Sequence, residues 1–336
     1  MKAEIINGKS TSAKRSILAN EIPLATPYIV QIFPVYGCNF RCNYCIHSID
    51  LSKRAYISNE KFMDFDMYKK CIEDISEFTQ KVKMLRFGAT GEPLLHPEIS
   101  EMIEYASKKE VANSIEIITN ASLLTPKLTD KLVNSGLNWL RVSIQGLSSK
   151  KYKDISGVDI NFEKLVENLK YFYDAKKDTK IYIKIIDVAL EKGETERFFE
   201  IFGDICDKIA IEHLVPTVQD IDYTQMSDSK FDLTQNGNKV NDNIEICPQP
   251  FFMMQINPEG NVVPCCSMET SYITGNCTQN NLVDIWTGER YKEFQLQQLN
   301  KEKFKNKICQ KCRSYRFALF EEDILDKHAE ELKKLY

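Results

Sequence analysis

Tyr28-Ile-Val-Gln-Ile-Phe-Pro-Val35 is an apolar run of strand character, and Gly37-Cys-Asn-Phe-Arg-Cys-Asn-Tyr-Cys-Ile46 behind it carries three cysteines at C-x3-C-x2-C spacing. Dense Val and Ile suit a buried extended segment. Three thiols on the loop that leaves it, Cys38, Cys42 and Cys45, ask for a metal. Iron–sulfur clusters are held by Cys thiolates, and a four-iron cubane with three protein ligands keeps one iron open to something else. Zinc on these thiols with His47 is a competing reading, although structural zinc usually draws a tetrahedral set from two chain segments. Unligated core thiols are another, and Arg41 and Asn43, set among the cysteines, make a poor core.

Outward from this stretch, β-rich runs at 28–35, 82–87, 114–119, 139–144, 181–188 and 208–214 alternate with amphipathic stretches at 63–78, 99–109, 125–135, 162–173 and 194–202. Such alternation predicts parallel βαβ units. The expected class is α/β: a partial (β/α)6 barrel over 28–216, behind an N-terminal extension at 1–27. Parallel α/β barrels place chemistry at the C-terminal ends of their strands, which is where the cysteine loop falls. Residues 217–244 are polar with few apolar anchors and read as a linker or mobile loop. A small domain of a β-hairpin plus helices is expected over 245–336.

The 336 residues suffice for one large core and a smaller appended unit. A hydrophobic content of 43% excludes a mainly disordered chain. The first twenty residues lack the apolar core of a secretion signal, and no run approaches the ~20 apolar residues of a membrane span. A cytoplasmic protein without a membrane partner is expected. Eleven cysteines in a reducing compartment read as metal ligands and buried thiols before disulfides. A net charge of −4 gives no footprint for nucleic acid.

The triplet, with Tyr44 before its third cysteine, resembles the signature of radical S-adenosylmethionine (SAM) enzymes. The resemblance implies the partial barrel and a [4Fe–4S] cluster whose free iron chelates the methionine amine and carboxylate of SAM. Reduction would then give a 5′-deoxyadenosyl radical. Gly88-Ala-Thr-Gly-Glu-Pro93, one βα unit on, resembles the family's GGEP motif, with Ala89-Thr90 departing from its first glycine. It implies that Gly91 and Glu92 bind the methionine amine. Tyr44, Asn120 and Ser143 match cofactor-contacting positions, whereas Gln145 stands where relatives commonly carry an acid.

Cys247-x12-Gly260-x4-Cys265, a hairpin turning through Asn257-Pro-Glu-Gly260, Gly275-Asn276 and Cys309-x2-Cys312 resemble a SPASM or twitch extension. This implies one auxiliary [4Fe–4S] cluster on Cys247, Cys265, Cys309 and Cys312, with a four-cysteine zinc site as the alternative. Cys71 and Cys206 read as core. Cys266, beside a ligand and expected toward the barrel mouth, is the candidate hydrogen-atom donor, and Cys277 is core first and donor second. Lys301, Lys303, Lys305, Lys307, Lys311 and Arg313 read as a solvated face before an anion-attracting one.

Relatives with this extension act on peptides, sugars or aminocyclitols. Peptide-modifying ones often begin with a leader-binding domain of ~80–90 residues, longer than the 27 residues ahead of the first strand here. The expectation is therefore a radical SAM oxidoreductase or epimerase acting on a carbohydrate or aminocyclitol, fed by a reductant such as flavodoxin or ferredoxin. A ribosomal peptide is the alternative substrate, and a non-catalytic iron–sulfur electron carrier the alternative class.

Overall fold

The computed structural model describes residues 1–6, 15–50, 54, 62–88, 90–266 and 270–336. Ten strands form one sheet: β1 (Glu4–Ile5), β2 (Ile29–Ile32), β3 (Met84–Phe87), β4 (Ile115–Thr119), β5 (Trp139–Ile144), β6 (Lys180–Ile186), β7 (Lys208–Glu212), β8 (Met253–Ile256), β9 (Asn261–Val263) and β10 (Gly275–Asn276). The order is β1-β7-β6-β5-β4-β3-β2-β8-β9-β10. Strands β2 to β7 lie side by side in chain order, all parallel. This is the expected α/β architecture with a mainly parallel sheet.

The crossovers are α1 (Phe65–Ser76), α2 (Ile99–Lys108), α3 (Pro126–Asn134), the pair α4 (Ser149–Ser156) and α5 (Phe162–Ala175), and α6 (Thr195–Phe202). Side chains of Asp64, Thr125, Ser148 and Asn161 accept backbone N–H bonds at four of their starts, each cap worth about 1 kcal/mol. The apolar stripe of α5 buries Phe162, Leu165, Leu169 and Phe172, at about 1.5–3 kcal/mol for each fully buried side chain.

Strands β6 and β7 stop two residues short of their expected ends. Asp187 is the reason: its Oδ1 accepts from the N–H groups of Val188 and Leu214, turning the chain where the apolar runs continue. The N-terminal extension is tied at two places. Strand β1 adds in parallel to β7, and Leu18 and Ile22 share a core with Ile246, Phe251, Leu299, Leu325 and Leu332.

Residues 217–244 are irregular, as expected, yet anchored. Val218, Tyr223 and Ile244 are buried, and the Tyr223 hydroxyl accepts from Val218 N–H and donates to the Tyr44 carbonyl. This segment is a strap over the strand ends. The hairpin β8–β9 forms as predicted, and β10 extends it. Its first strand also pairs in parallel with β2, joining Gln31 to Gln255 on one rung. The helices α7 (Leu282–Thr287) and α8 (Glu289–Leu299) follow it. Among the described residues, no helix is long and apolar enough to cross a membrane.

Candidate active site

Cys38, Cys42 and Cys45 line a cavity of about 350 Å³ at the C-terminal ends of the strands, together with Tyr44, Gly91, Glu92, Asn120, Ser143 and Gln145. All the first-site residues expected from the sequence therefore meet in one cleft. Burial pushes the Cys38 thiol up to about 12 and raises Cys42 and Cys45 as well. Such thiols stay protonated at neutral pH unless a metal's charge displaces the proton.

The turn at Gly91-Glu92-Pro93 shows why these residue types stand there. Gly91 has φ +82°, and a Cβ would lie 2.1 Å from the Val35 carbonyl oxygen, closer than any side chain tolerates. Glu92 N–H donates to the Gly37 carbonyl at 2.8 Å, fastening the turn to the start of the cysteine loop. The Glu92 carboxylate is fully enclosed. Its Oε1 accepts from Leu94 N–H and the Thr119 hydroxyl, and its Oε2 from Asn120 N–H. Burial nevertheless outweighs these bonds and pushes the carboxyl up to about 7. Asn120 in turn donates to Asn39 at 2.9 Å and points Nδ2 at the Cys38 sulfur, 4.0 Å away.

His47, on sequence a possible zinc ligand, takes a different role. In the structure its Nε2 accepts from Gly91 N–H at 3.1 Å, and Arg54 lies 3.1 Å from Nδ1. Burial first, then the charges of Arg54 and Arg41, lowers its pKa to about 4, so the ring is neutral and able to accept. It braces the glycine turn, a role that sequence reading missed because its partner is 44 residues away. Gln145, the departure from the family pattern, is the acceptor of the Tyr44 hydroxyl. Lys184, His213 and Gln235 complete the far wall of the cleft. Lys184 is paired with Glu212 at 2.6 Å, and His213 Nδ1 lies 3.0 Å from Asp187.

The second thiol group is separate. Cys247, Cys265, Cys266, Cys309 and Cys312 surround one small cavity with Gln249, Phe294 and Tyr315. Cys266 thus stands apart from its expected position: it lines this cavity and not the cleft, and its thiol lies 3.4 Å from the Gln249 side-chain oxygen. A loop turned at Pro264, outside the strand alternation, sets its direction. Cys277 is buried against Cys71, the two thiols hydrogen-bonding one another, and Cys206, just ahead of β7, is buried with its thiol donating to the Phe202 carbonyl. The lysine run is mostly paired: Lys301 with Glu245, Lys305 with Glu302, and Lys303 with the Tyr315 hydroxyl. Among the described residues no three His, Cys, Asp or Glu side chains converge tightly enough for a single metal ion. Thiolates around a four-iron cubane must stand farther apart, since each binds a different iron.

The family model for the radical SAM superfamily matches residues 32–198, the segment that builds this cleft. The chain belongs to the radical SAM superfamily. The model for SPASM, an iron–sulfur cluster-binding domain, matches residues 247–313, the segment that holds the second thiol group. Radical SAM domains bind a [4Fe–4S] cluster and SAM, and SPASM domains bind auxiliary iron–sulfur clusters, so these are the cofactors of this radical SAM protein. Among curated proteins it is similar to the tungsten-containing aldehyde ferredoxin oxidoreductase cofactor-modifying protein of Pyrococcus furiosus, 26% identical over 76% of this chain and 80% of that protein. Among solved structures, BtrN in complex with AdoMet and 2-DOIA matches with a TM-score of 0.53 at 18% identity, over 85% of this chain and 92% of BtrN. SuiB of Streptococcus suis bound to S-adenosylmethionine matches with a TM-score of 0.62 at 16% identity, over 83% of this chain and 70% of SuiB. At these identities the two structures bear on the fold.

Proposed function

We propose that this enzyme cleaves SAM reductively in the cleft and oxidises a C–H bond of a carbohydrate or aminocyclitol substrate. Cys38, Cys42 and Cys45 would hold the SAM-binding cluster, and Cys247, Cys265, Cys309 and Cys312 one auxiliary cluster. Bound there, the first cluster supplies the electron that turns SAM into a 5′-deoxyadenosyl radical, and the second is suited to receive the electron that a substrate radical sheds.

The chain's own groups then have assignable work. Glu92, held by three donors, presents carboxylate lone pairs to the methionine ammonium. Gly91 lets the backbone approach, with His47 fixing its N–H. Asn120 and Ser143 line the ribose and carboxylate side, and Tyr44 closes the wall through Gln145. Lys184 on the far wall is neutralised by Glu212 and offers no free cation for an anionic group, which suits a hydroxyl-rich substrate without phosphate or carboxylate.

One observation carries oxidation over inversion: Cys266, the candidate donor, lines the auxiliary cavity. Returning a hydrogen atom to an inverted carbon requires a thiol in contact with substrate, and the thiols lining the cleft are the three assigned to the cluster.

A peptide substrate is the second reading. A further cavity of about 450 Å³ between the strap and residues 311–314 adjoins the cleft at Thr217, giving room for an extended chain, and SuiB has been seen with its precursor peptide SuiA.

The test is release of 5′-deoxyadenosine from anaerobically reconstituted protein given dithionite and SAM, followed by a product search with aminocyclitols and peptides. No release would leave an electron carrier as the better description.

A further inference from the structure

The pair Cys309-Gln-Lys-Cys312 stands in a strongly basic stretch. Between Lys301 and Arg316 there are seven basic side chains and one acidic, Glu302, a local excess of +6 in a chain of net charge −4. Carboxylates of a neighbouring segment remove part of it: Glu245 pairs with Lys301, and Asp242 with both Arg313 and Arg316. Lys303 bonds the neutral Tyr315 hydroxyl, which leaves its charge in place. Lys307 and Lys311 are exposed and have no ion-pair partner among the described residues.

The turn that carries these lysines is two-sided. Cys309 and Cys312 line the second cavity, whereas Gln310 and Lys311 between them are exposed. Successive Cα atoms are about 3.8 Å apart, so whatever the two thiols hold lies one turn of chain beneath a cationic surface. Phe304, 64% exposed, is the most exposed large apolar side chain among the described residues. Asn306 donates to the Ser271 carbonyl at 2.7 Å, which brings the exposed Ile273, two residues on, up beside the same stretch. Apolar groups inside a charged rim make a small transient interface, and electron-transfer encounters are of that kind.

We infer that the surface around Phe304, Lys307 and Lys311 docks a small acidic electron-carrier protein, which takes up the electron delivered to the second thiol group. The inference rests on the reading that this group holds an iron–sulfur cluster and that the substrate is oxidised. The electron count then requires such a partner. One electron enters to cleave SAM, and the substrate radical becomes the oxidised product by losing a proton to water and one electron, so one electron must leave in each turnover and reduce the oxidised carrier. Charge selects the face. With +6 here and −4 overall, the rest of the chain carries −10, so an acidic protein is repelled elsewhere and steered to this turn.

Calorimetric titration of the anaerobic holoenzyme with an oxidised, acidic flavodoxin reads the surface directly. Affinity should fall about tenfold between about 50 and 500 mM salt. Lys307→Glu/Lys311→Glu should lower it about tenfold at the lower salt, with the parent's iron content and with dithionite-driven 5′-deoxyadenosine release unchanged, because dithionite bypasses the carrier. Phe304→Ser should weaken binding at both salt levels. Lys127→Glu/Lys170→Glu makes the same charge change on α3 and α5 and should leave affinity near the parent's. Equal loss in both double variants, or none in Lys307→Glu/Lys311→Glu, overturns the inference. So does a single-stranded RNA oligonucleotide that binds these lysines more tightly than flavodoxin does. Parent protein holding about four irons together with zinc overturns the earlier cluster assignment instead.

Discussion

The two thiol groups solve opposite problems. Cys38, Cys42 and Cys45 share one loop and open onto a cleft, where hydrogen bonds among Glu92, Asn120 and His47 hold the Gly91 turn and bring Asn120 to Cys38. The second group collects thiols from three distant segments around one small cavity. With the proposed ligand sets, the first arrangement would leave an iron for a cofactor, and the second would have sulfur to spare. Openness in this fold is thus set by how ligands are distributed along the chain, as well as by their number.

The contrast can be broken most sharply at the ligands. Cys42→Ala should abolish 5′-deoxyadenosine formation and remove about four of about eight irons per chain, whereas Cys309→Ala/Cys312→Ala should remove the other four and spare cofactor cleavage. Iron analysis with product chromatography decides it, and equal loss of cleavage in both would erase the distinction.

Gly91→Ala comes next. The left-handed backbone alone costs about 1–2 kcal/mol, and the approach to the Val35 oxygen adds to it. A fall in Tm of several degrees and loss of SAM binding by calorimetry are expected, with the auxiliary cluster unchanged.

The Glu92 carboxyl, raised to about 7 by burial, gives two pH dependences of opposite sign. The folded, SAM-free protein favours the neutral acid, so this group's contribution to stability is present at low pH and is lost as pH rises through 7. SAM brings an ammonium that needs the carboxylate, so its affinity should fall about tenfold per pH unit below 7. Glu92→Gln should flatten both curves; a SAM affinity independent of pH between 5.5 and 7 in the parent would remove Glu92 from the amine site.

Cys266→Ala should have the smallest effect, leaving cofactor cleavage and the stereochemical course intact. Loss of an epimerised product, read by chiral chromatography, would return this thiol to the donor role.

Much of the cleft was legible because its residues are local to strand ends. Apolar runs of strand character mark β2 to β7, the cysteine spacing marks the loop, and Gly91-Glu92-Pro93 marks the turn. What stayed hidden depends on distant pairing. Helix α4 has only three buried residues, so its apolar signal is weak, although the Ser148 cap and Gly157 at φ +69° bracket it. The β2–β8 rung, the His47 contact to Gly91 and the Arg86–Glu116–Arg141 triad join segments with no shared period. The side on which Cys266 falls could not be read either, because alternation ends at Val263.

The rung between Gln31 and Gln255 also bears on how the chain must be handled and made. Strand β2 is flanked on both sides only once β8 has been added. A fragment ending before Cys247 would expose one row of its N–H and C=O groups on an otherwise apolar strand, a template for intermolecular pairing. On the ribosome the first cysteine loop emerges long before the strand that seals its neighbour, so the barrel passes through a sticky, unfinished stage until its last quarter arrives.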